Sequence, residues 1–294
     1  MTRMIPICAL LLTVGVTQAR SEELKIYISA DMEGIGGVST WDIQAGSEGS
    51  EYEKFRKLMT EEVNAAIDGA FDAGATEVLV SDSHGSGQNI DIELLDERVR
   101  LIRAWPRPLL MMQGLDSTFD AAVFVGYHAG NGRSEAVLAH TMSGNVYAVQ
   151  INGQVVPEAG FNAAIAGDFG VPVVFLSGDQ SICEDARQLL GPIEAVAVKE
   201  ATGFHSAMMM NPQEAQRRIR KGVKRAIKRR DEIRPYKLKP PIRLEITFTE
   251  MPVVELLSYL PGVERPRGNV VAFTGKNMRE AAGFLNVALY VNVD

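Results

Sequence analysis

Three apolar runs of strand length in this chain each lead into residues able to bind a cation, and that repetition constrains the fold more than any other feature. Lys25 to Ser29 runs into Asp31-Met32-Glu33-Gly34, Glu77 to Ser81 into Asp82-Ser83-His84, and Ala121 to Tyr127 into His128. Between the first two runs, Tyr52 to Ala73 has helical spacing and is closed by Gly74. Val99 to Arg103 reads as a further strand. Strands alternating with helices build a mostly parallel α/β sheet with flanking helices. In such sheets ligands bind beyond the carboxyl ends of the strands. Asp31, Glu33, His84 and His128 therefore fall on one edge, and two carboxylates at i and i+2 of extended chain point to the same side.

The remaining pattern extends this layout. Asn152-Gly153 between Val146 to Ile151 and Gln154 to Val156 is a strong hairpin signal. Pro157 suits the first turn of a helix that Gly170 stops, and Val171 to Leu176 follows as a strand. Asp179 to Leu190 reads as helix and Ile193 to Val198 as strand. Asn211-Pro212 opens a helix to about Arg230 that carries nine Lys or Arg residues from Arg217 onward. With no aromatic residue interleaved, that cluster reads as a solvated or intersubunit face rather than a nucleic-acid or lipid patch. After an extended linker, Pro235 to Pro241, strands are expected at Ile242 to Phe248 and Val270 to Phe273, with helices near Met251 to Leu257 and Asn277 to Leu289. The chain thus divides into residues 1–19, an α/β body over 20–199 that carries the candidate ligands, and a smaller C-terminal α+β subdomain over 200–294.

The segment 1–19 has the form of an export signal. Arg3 precedes an apolar run from Ile5 to Val16 that ends in Thr17-Gln18-Ala19, and the run is well short of the roughly 20 residues that cross a bilayer. A periplasmic or secreted protein without a stable membrane anchor after cleavage is expected. Losing Arg3 takes the formal net charge from −7 to −8, which disfavours nucleic acid and anionic lipid as partners and favours small substrates. Losing Cys8 leaves Cys183 alone, so no intramolecular disulfide can form.

A fifth candidate ligand is Glu158 beside Pro157, where a helix N-terminus favours the ionised carboxylate that a metal requires. Two imidazoles and three carboxylates without cysteine suit zinc best and leave manganese or cobalt open. Five ligands point to two ions, and paired ions of this kind activate water and stabilise an oxyanion in aminopeptidases. No two of the five sit in a short metal motif, so Asp31 as a turn cap and His84 as a satisfied loop histidine stay open on spacing alone.

Seven groups of residues resemble the zinc D-aminopeptidases: Asp31-Met32-Glu33-Gly34-Ile35, Met59-Thr60-Glu61-Glu62, Glu77 to Val80 with Asp82-Ser83-His84, Gly126-Tyr127-His128-Ala129, His140-Thr141-Met142, Glu158 with Gly160 and Asn162-Ala163, and Ala197-Val198-Lys199. The resemblance runs from Lys25 and thins beyond Lys199. It implies two Zn²⁺ per subunit held by Asp31, Glu33, His84, His128 and Glu158, with Asp31 bridging, and a catalytic role for His140 beside the metals. It also implies hydrolysis of short D-amino-acid peptides inside a ring-shaped homo-oligomer, a decamer. Export departs from the family's intracellular pattern and makes cell-wall stem-peptide fragments ending in D-alanine the expected supply. An exported metal-dependent peptide-binding protein and a zinc amidase acting on a non-peptide amide are the competing readings.

Other residues carry weaker signals. Asp82 could orient an imidazole from behind. Gly34, Gly36 and Gly37 lack the spacing of a dinucleotide or phosphate loop and are expected to let backbone approach the metals. Gly85-Ser86-Gly87 is not a nucleophile elbow. His205 reads as a surface or channel residue, and Met208 to Met210 as core or interface filler.

Overall fold

A computed structural model of the chain describes residues 23–291; the expected export signal and Cys8 lie outside the described residues. The first half comprises β1 (Lys25–Ala30), α1 (Tyr52–Asp72), β2 (Glu77–Asp82), β3 (Arg100–Ile102), β4 (Ala121–Tyr127), β5 (Val146–Ile151), β6 (Gln154–Val155) and α2 (Glu158–Asp168). The second comprises β7 (Val173–Asp179), α3 (Gln180–Leu190), β8 (Glu194–Gly203), β9 (Ser206–Met209), α4 (Pro212–Lys228), β10 (Ile242–Phe248), α5 (Met251–Ser258), β11 (Val263–Arg267), β12 (Val270–Gly275) and α6 (Met278–Tyr290).

Seven strands form one sheet in the order β3-β2-β1-β4-β7-β8-β9, parallel except for β9. Every residue of β4 and β7 is buried, as expected of strands covered on both faces. The strand order reverses between β1 and β4, and the crevice at such a switch point is where open α/β sheets place ligands. A second, antiparallel sheet has the order β11-β12-β10-β5-β6. In it β10 alternates buried and half-buried residues, the mark of a sheet with one covered face. Asn152 and Gly153 both have positive φ, 49° and 85°, in the two-residue turn that joins β5 to β6.

The two sheets do not part at residue 200. Leu244 to Phe248 of β10 pair with β5, so the antiparallel sheet draws a hairpin from the middle of the chain. β8 runs past Lys199 to Gly203 and returns as β9. A cut drawn by composition misses both facts, because pairing between distant segments leaves no mark on local sequence. β9 and β11 are short and largely exposed, without the apolar run that identifies a buried strand.

Helix α4 buries Ala215, Ile219, Val223 and Ala226, and two of its arginines reach acids on other elements of the chain. Arg220 pairs with Asp68 and Asp72 at 2.9 Å each, and Arg225 pairs with Glu194. Cys183 is a free, buried thiol whose pKa burial pushes up to about 12. Among the described residues no helix is long and apolar enough to cross a membrane.

Candidate metal centre

The segment after β1 lies flush against the end of β4, and this contact brings the first ligands to the others. Asp31 and Gly34 donate backbone hydrogen bonds to Val125 and Gly126 at 2.8 and 2.7 Å. A Cβ on Gly34 would overlap the Tyr127 carbonyl oxygen, and one on Gly126, at φ 72°, would overlap that of Asp31. The glycine here serves strand-to-loop approach rather than approach to a metal. Lys199, buried at the end of the β8 apolar run, closes the segment from beneath. Its ammonium donates to the carbonyls of Glu33, Ile35 and Val38, the last two at 3.1 and 2.6 Å. Burial lowers its pKa to about 8. The Glu62 carboxylate accepts from Gly36 N at 2.8 Å, and burial raises its pKa to about 7.

All five expected ligands converge and are buried, each no more than 4% exposed. His84 Nδ1 stands 2.8 Å from Glu33 Oε2 and 3.2 Å from Asp31 Oδ1. His128 Nε2 stands 3.4 Å from Asp31 Oδ2 and 3.5 Å from Glu158 Oε1. Asp31 therefore turns one oxygen toward each imidazole. Glu158, the first residue of α2, also accepts from Met142 N at 2.6 Å. The His140 ring stacks on His128 with centroids 4.2 Å apart, and its Nε2 lies 3.7 Å from Glu158 Oε1 and 3.9 Å from Glu33 Oε1.

The far nitrogen of each ring is committed. His84 Nε2 donates to Ala45 O at 2.9 Å, His128 Nδ1 to Ala129 O at 3.0 Å, and His140 Nδ1 to Leu138 O at 2.9 Å. In the neutral rings the inward nitrogens then carry lone pairs that face carboxylate oxygens. His128 Nε2 and Asp31 Oδ2 are buried without a hydrogen-bond partner. Lone pairs meeting lone pairs in a buried space require positive charge between or on them. Two ligands on one tetrahedral zinc, with bonds of about 2.0–2.1 Å, stand about 3.3 Å apart. The His84–Asp31, His128–Asp31 and His128–Glu158 separations of 3.2, 3.4 and 3.5 Å match that figure, whereas His84 and Glu33 at 2.8 Å stand at hydrogen-bond distance. Two triads, Asp31-Glu33-His128 and His128-His140-Glu158, each place donor atoms within 4.8 Å of one another. The donor set fits zinc.

Electrostatics report the same demand. Burial and the neighbouring Glu33 raise Asp31 to about 8. Burial alone would raise Glu33 too, but the His84 charge outweighs it and holds Glu33 well below the usual carboxylate range. Against the burial that opposes a charged ring, Glu158 raises His128 to about 10 and Glu33 raises His84. The cluster takes up protons when no other cation is bound.

Two weaker expectations resolve differently. Asp82 does not touch an imidazole: its carboxylate accepts from Asn89 N, Ile90 N and Asn89 Nδ2 at 2.6–2.8 Å and so shapes the loop that presents His84. Carbonyls of Ala45, Ala129 and Leu138 orient the rings instead, and a carbonyl has no letter in a sequence. His205 lies at the exposed rim of a cavity of about 660 Å³ that opens over the cluster.

Known proteins are similar to this chain over most of its length. A curated D-aminopeptidase of Bacillus subtilis (strain 168) is 37% identical over 261 residues, covering 88% of this chain and 94% of that protein. The solved structure of the zinc-dependent D-aminopeptidase DppA from Bacillus subtilis, described as a self-compartmentalizing protease, superposes with a TM-score of 0.88 at 33% identity. It covers 92% of this chain and all of the other. The family model described as D-aminopeptidase matches residues 24–287, and the chain belongs to that peptidase family.

Proposed function

We propose that the chain is a dinuclear zinc aminopeptidase that hydrolyses short peptides of D-amino acids. The observation that carries this reading is the pair of imidazoles anchored through opposite nitrogens, whose inward lone pairs face the two oxygens of one buried carboxylate. Asp31, Glu33, His84, His128 and Glu158 would hold the ions, and the three carboxylates would offset most of their charge. When bound, zinc supplies the Lewis acidity that activates water and polarises the peptide carbonyl.

His140 is assigned the proton transfers. Its Nδ1–H is held by Leu138 O, so its Nε2 lone pair faces the space above Glu33 and Glu158. From there it takes a proton as water attacks and returns it to the leaving amine. Its side chain is 29% exposed, so it can reach a substrate that the five buried ligands cannot surround.

Assembly and location belong to the same proposal. Tyr259, Val287 and Tyr290 expose apolar surface on the C-terminal helices, and the solved relative is self-compartmentalizing; a ring-shaped homo-oligomer is inferred. Export rests on Arg3 and the apolar run ending at Ala19, with stem-peptide fragments as the supply. Incubating zinc-loaded protein with D-alanyl and L-alanyl peptides, with and without chelator, tests the activity. Chelator-sensitive release of free D-amino acid is expected. Peptide binding without turnover by metal-replete protein overturns the reading in favour of a capture protein. Amino-terminal sequencing of protein recovered from the periplasm tests the export signal.

A further inference from the structure

Strand β7 ends in a buried acid at the same sheet edge as Asp31 and His128, yet this acid is spent away from the metal cluster. Asp179 closes the strand beside β4, parallel to it, and no part of the residue is exposed. Its Oδ1 accepts from Ile182 N at 2.8 Å, which caps α3, and its Oδ2 accepts from Val137 N at 3.1 Å. A helix cap needs only one oxygen. The second bond serves the segment that carries His140.

Two further contacts set the path of that segment. Ser181 Oγ, in the first turn of α3, donates to Glu135 O at 2.6 Å, and Leu138 N donates to Phe204 O at 3.1 Å. Ala136 to Ala139 are buried. Held by these bonds, the chain turns left-handed at Glu135 and Leu138, φ 54° and 52°, a conformation that side chains of this kind disfavour. The turn aims Leu138 O at His140 Nδ1, 2.9 Å away, and a bond to one ring nitrogen decides which tautomer is present. His140 Nε2 is thereby left free to face Glu33 and Glu158. Resting on the aminopeptidase reading, we propose that Asp179 is a positioning residue for proton transfer: its Oδ2 holds Val137 N so that Leu138 O keeps His140 in the Nδ1–H form. Asp179 makes no hydrogen bond to the five ligands, so its effect falls on the chemical step rather than on zinc or substrate binding.

Two substitutions separate this task from the helix cap. Asp179→Ser keeps a capping oxygen for Ile182 N and offers none to Val137 N, whereas Asp179→Ala loses both. The zinc-loaded serine variant should therefore resist denaturant better than the alanine variant. Both should nonetheless lose kcat to the same extent, by about 10–100-fold, the scale of a small misplacement of a reacting group, with KM and zinc content at wild-type levels. Ser181→Ala frees only the carbonyl of exposed Glu135, which water can satisfy, and should lower kcat severalfold with the same pattern; it carries the test if the Asp179 variants do not fold. Nitrogen NMR of the histidine rings gives a readout without substrate. The Nδ1–H signal that disappears in His140→Ala belongs to His140; it should be sharp in the wild type and broadened by exchange with water in Asp179→Ser. An unchanged kcat in Asp179→Ser, a kcat that follows stability across the two Asp179 variants, or an undisturbed His140 signal overturns the proposal and leaves the aminopeptidase reading intact. Broadening of that signal in a protein whose wild type cleaves no peptide supports the positioning of His140 and overturns the activity.

Discussion

The two halves of the metal cluster are built on opposite plans. Asp31, Glu33 and His84 sit just beyond two strands paired in register, β1 and β2, and the chain around them is tied down from several sides. Lys199 clamps three carbonyls of the Asp31–Val38 segment, Glu62 holds Gly36 N, and Ala45 O fixes the ring of His84. The other half, His128, Glu158 and His140, depends on the segment between β4 and β5. That segment places Glu135, Leu138 and Met142 at positive φ, 54°, 52° and 67°, where non-glycine residues are strained. It also carries the half-exposed His140. The difference separates tasks: one half holds charge in a rigid cradle, and the other offers a reactive group to whatever enters.

The heaviest blow to this division is aimed at Asp31, the residue shared by both halves. Asp31→Ala removes the carboxylate that both His84 and His128 face, and both zinc content and turnover should fall to background in elemental analysis and peptide assay. Retention of two equivalents of zinc would remove Asp31 as a bridge. His140→Ala is the sharper cut. It should lower kcat by about 10²–10⁴, the usual worth of a positioned acid or base, while zinc content stays at the wild-type level. A parallel loss of metal would move His140 into the ligand set, which its 3.7 Å distance from Glu158 Oε1 makes a real test.

The convergence of the five candidate ligands was legible because each follows a strand or opens a helix, and strand ends were legible from apolar runs. His84 and His128 stand where the runs at Glu77 and Ala121 stop, and the structure brings them together across β1. What stayed hidden is carried by backbone. The ring-orienting groups are carbonyls of Ala45, Ala129 and Leu138, and their aim depends on a π-helical turn at Trp41–Ala45 and on the left-handed Leu138. The pairing of β5 with β10 was equally invisible, because Val146 to Ile151 carries no sign of its distant partner. Asp82 was misread for the same reason, since its bonds go to the backbone of Asn89 and Ile90.

Lys199 sharpens the comparison at lower cost to the molecule. Lys199→Met keeps the length and apolar stem of the side chain but frees the carbonyls of Glu33, Ile35 and Val38. Zinc affinity should fall by about 10–100-fold, the usual effect of losing a group that orients a ligand. The loss should appear in one of the two binding steps of a calorimetric titration. Equal weakening of both steps would show that the two halves are not independent.

Glu62 tests the rigid half through pH. Its carboxyl is raised from 4.5 to about 7 by burial, and one oxygen has no hydrogen-bond partner, as suits a group that holds a proton in the folded chain. A folded pKa above the unfolded one means that the native state binds the proton more tightly. The resulting stabilisation is full below about pH 4.5 and is lost as pH rises toward 7 and beyond. Glu62→Gln removes the titration but keeps an acceptor for Gly36 N. Its amide nitrogen replaces the orphan oxygen at a cost that is the same at every pH, so the offset carries no information and the slope does. Relative to the wild type, the zinc-loaded variant should gain on the order of 1–3 kcal/mol between pH 5 and 8 in denaturant unfolding. A flat difference across that range would mean that Glu62 stays ionised throughout, with the Lys199 ammonium as its partner, and the cradle would then be held by a buried ion pair rather than by a neutral acid.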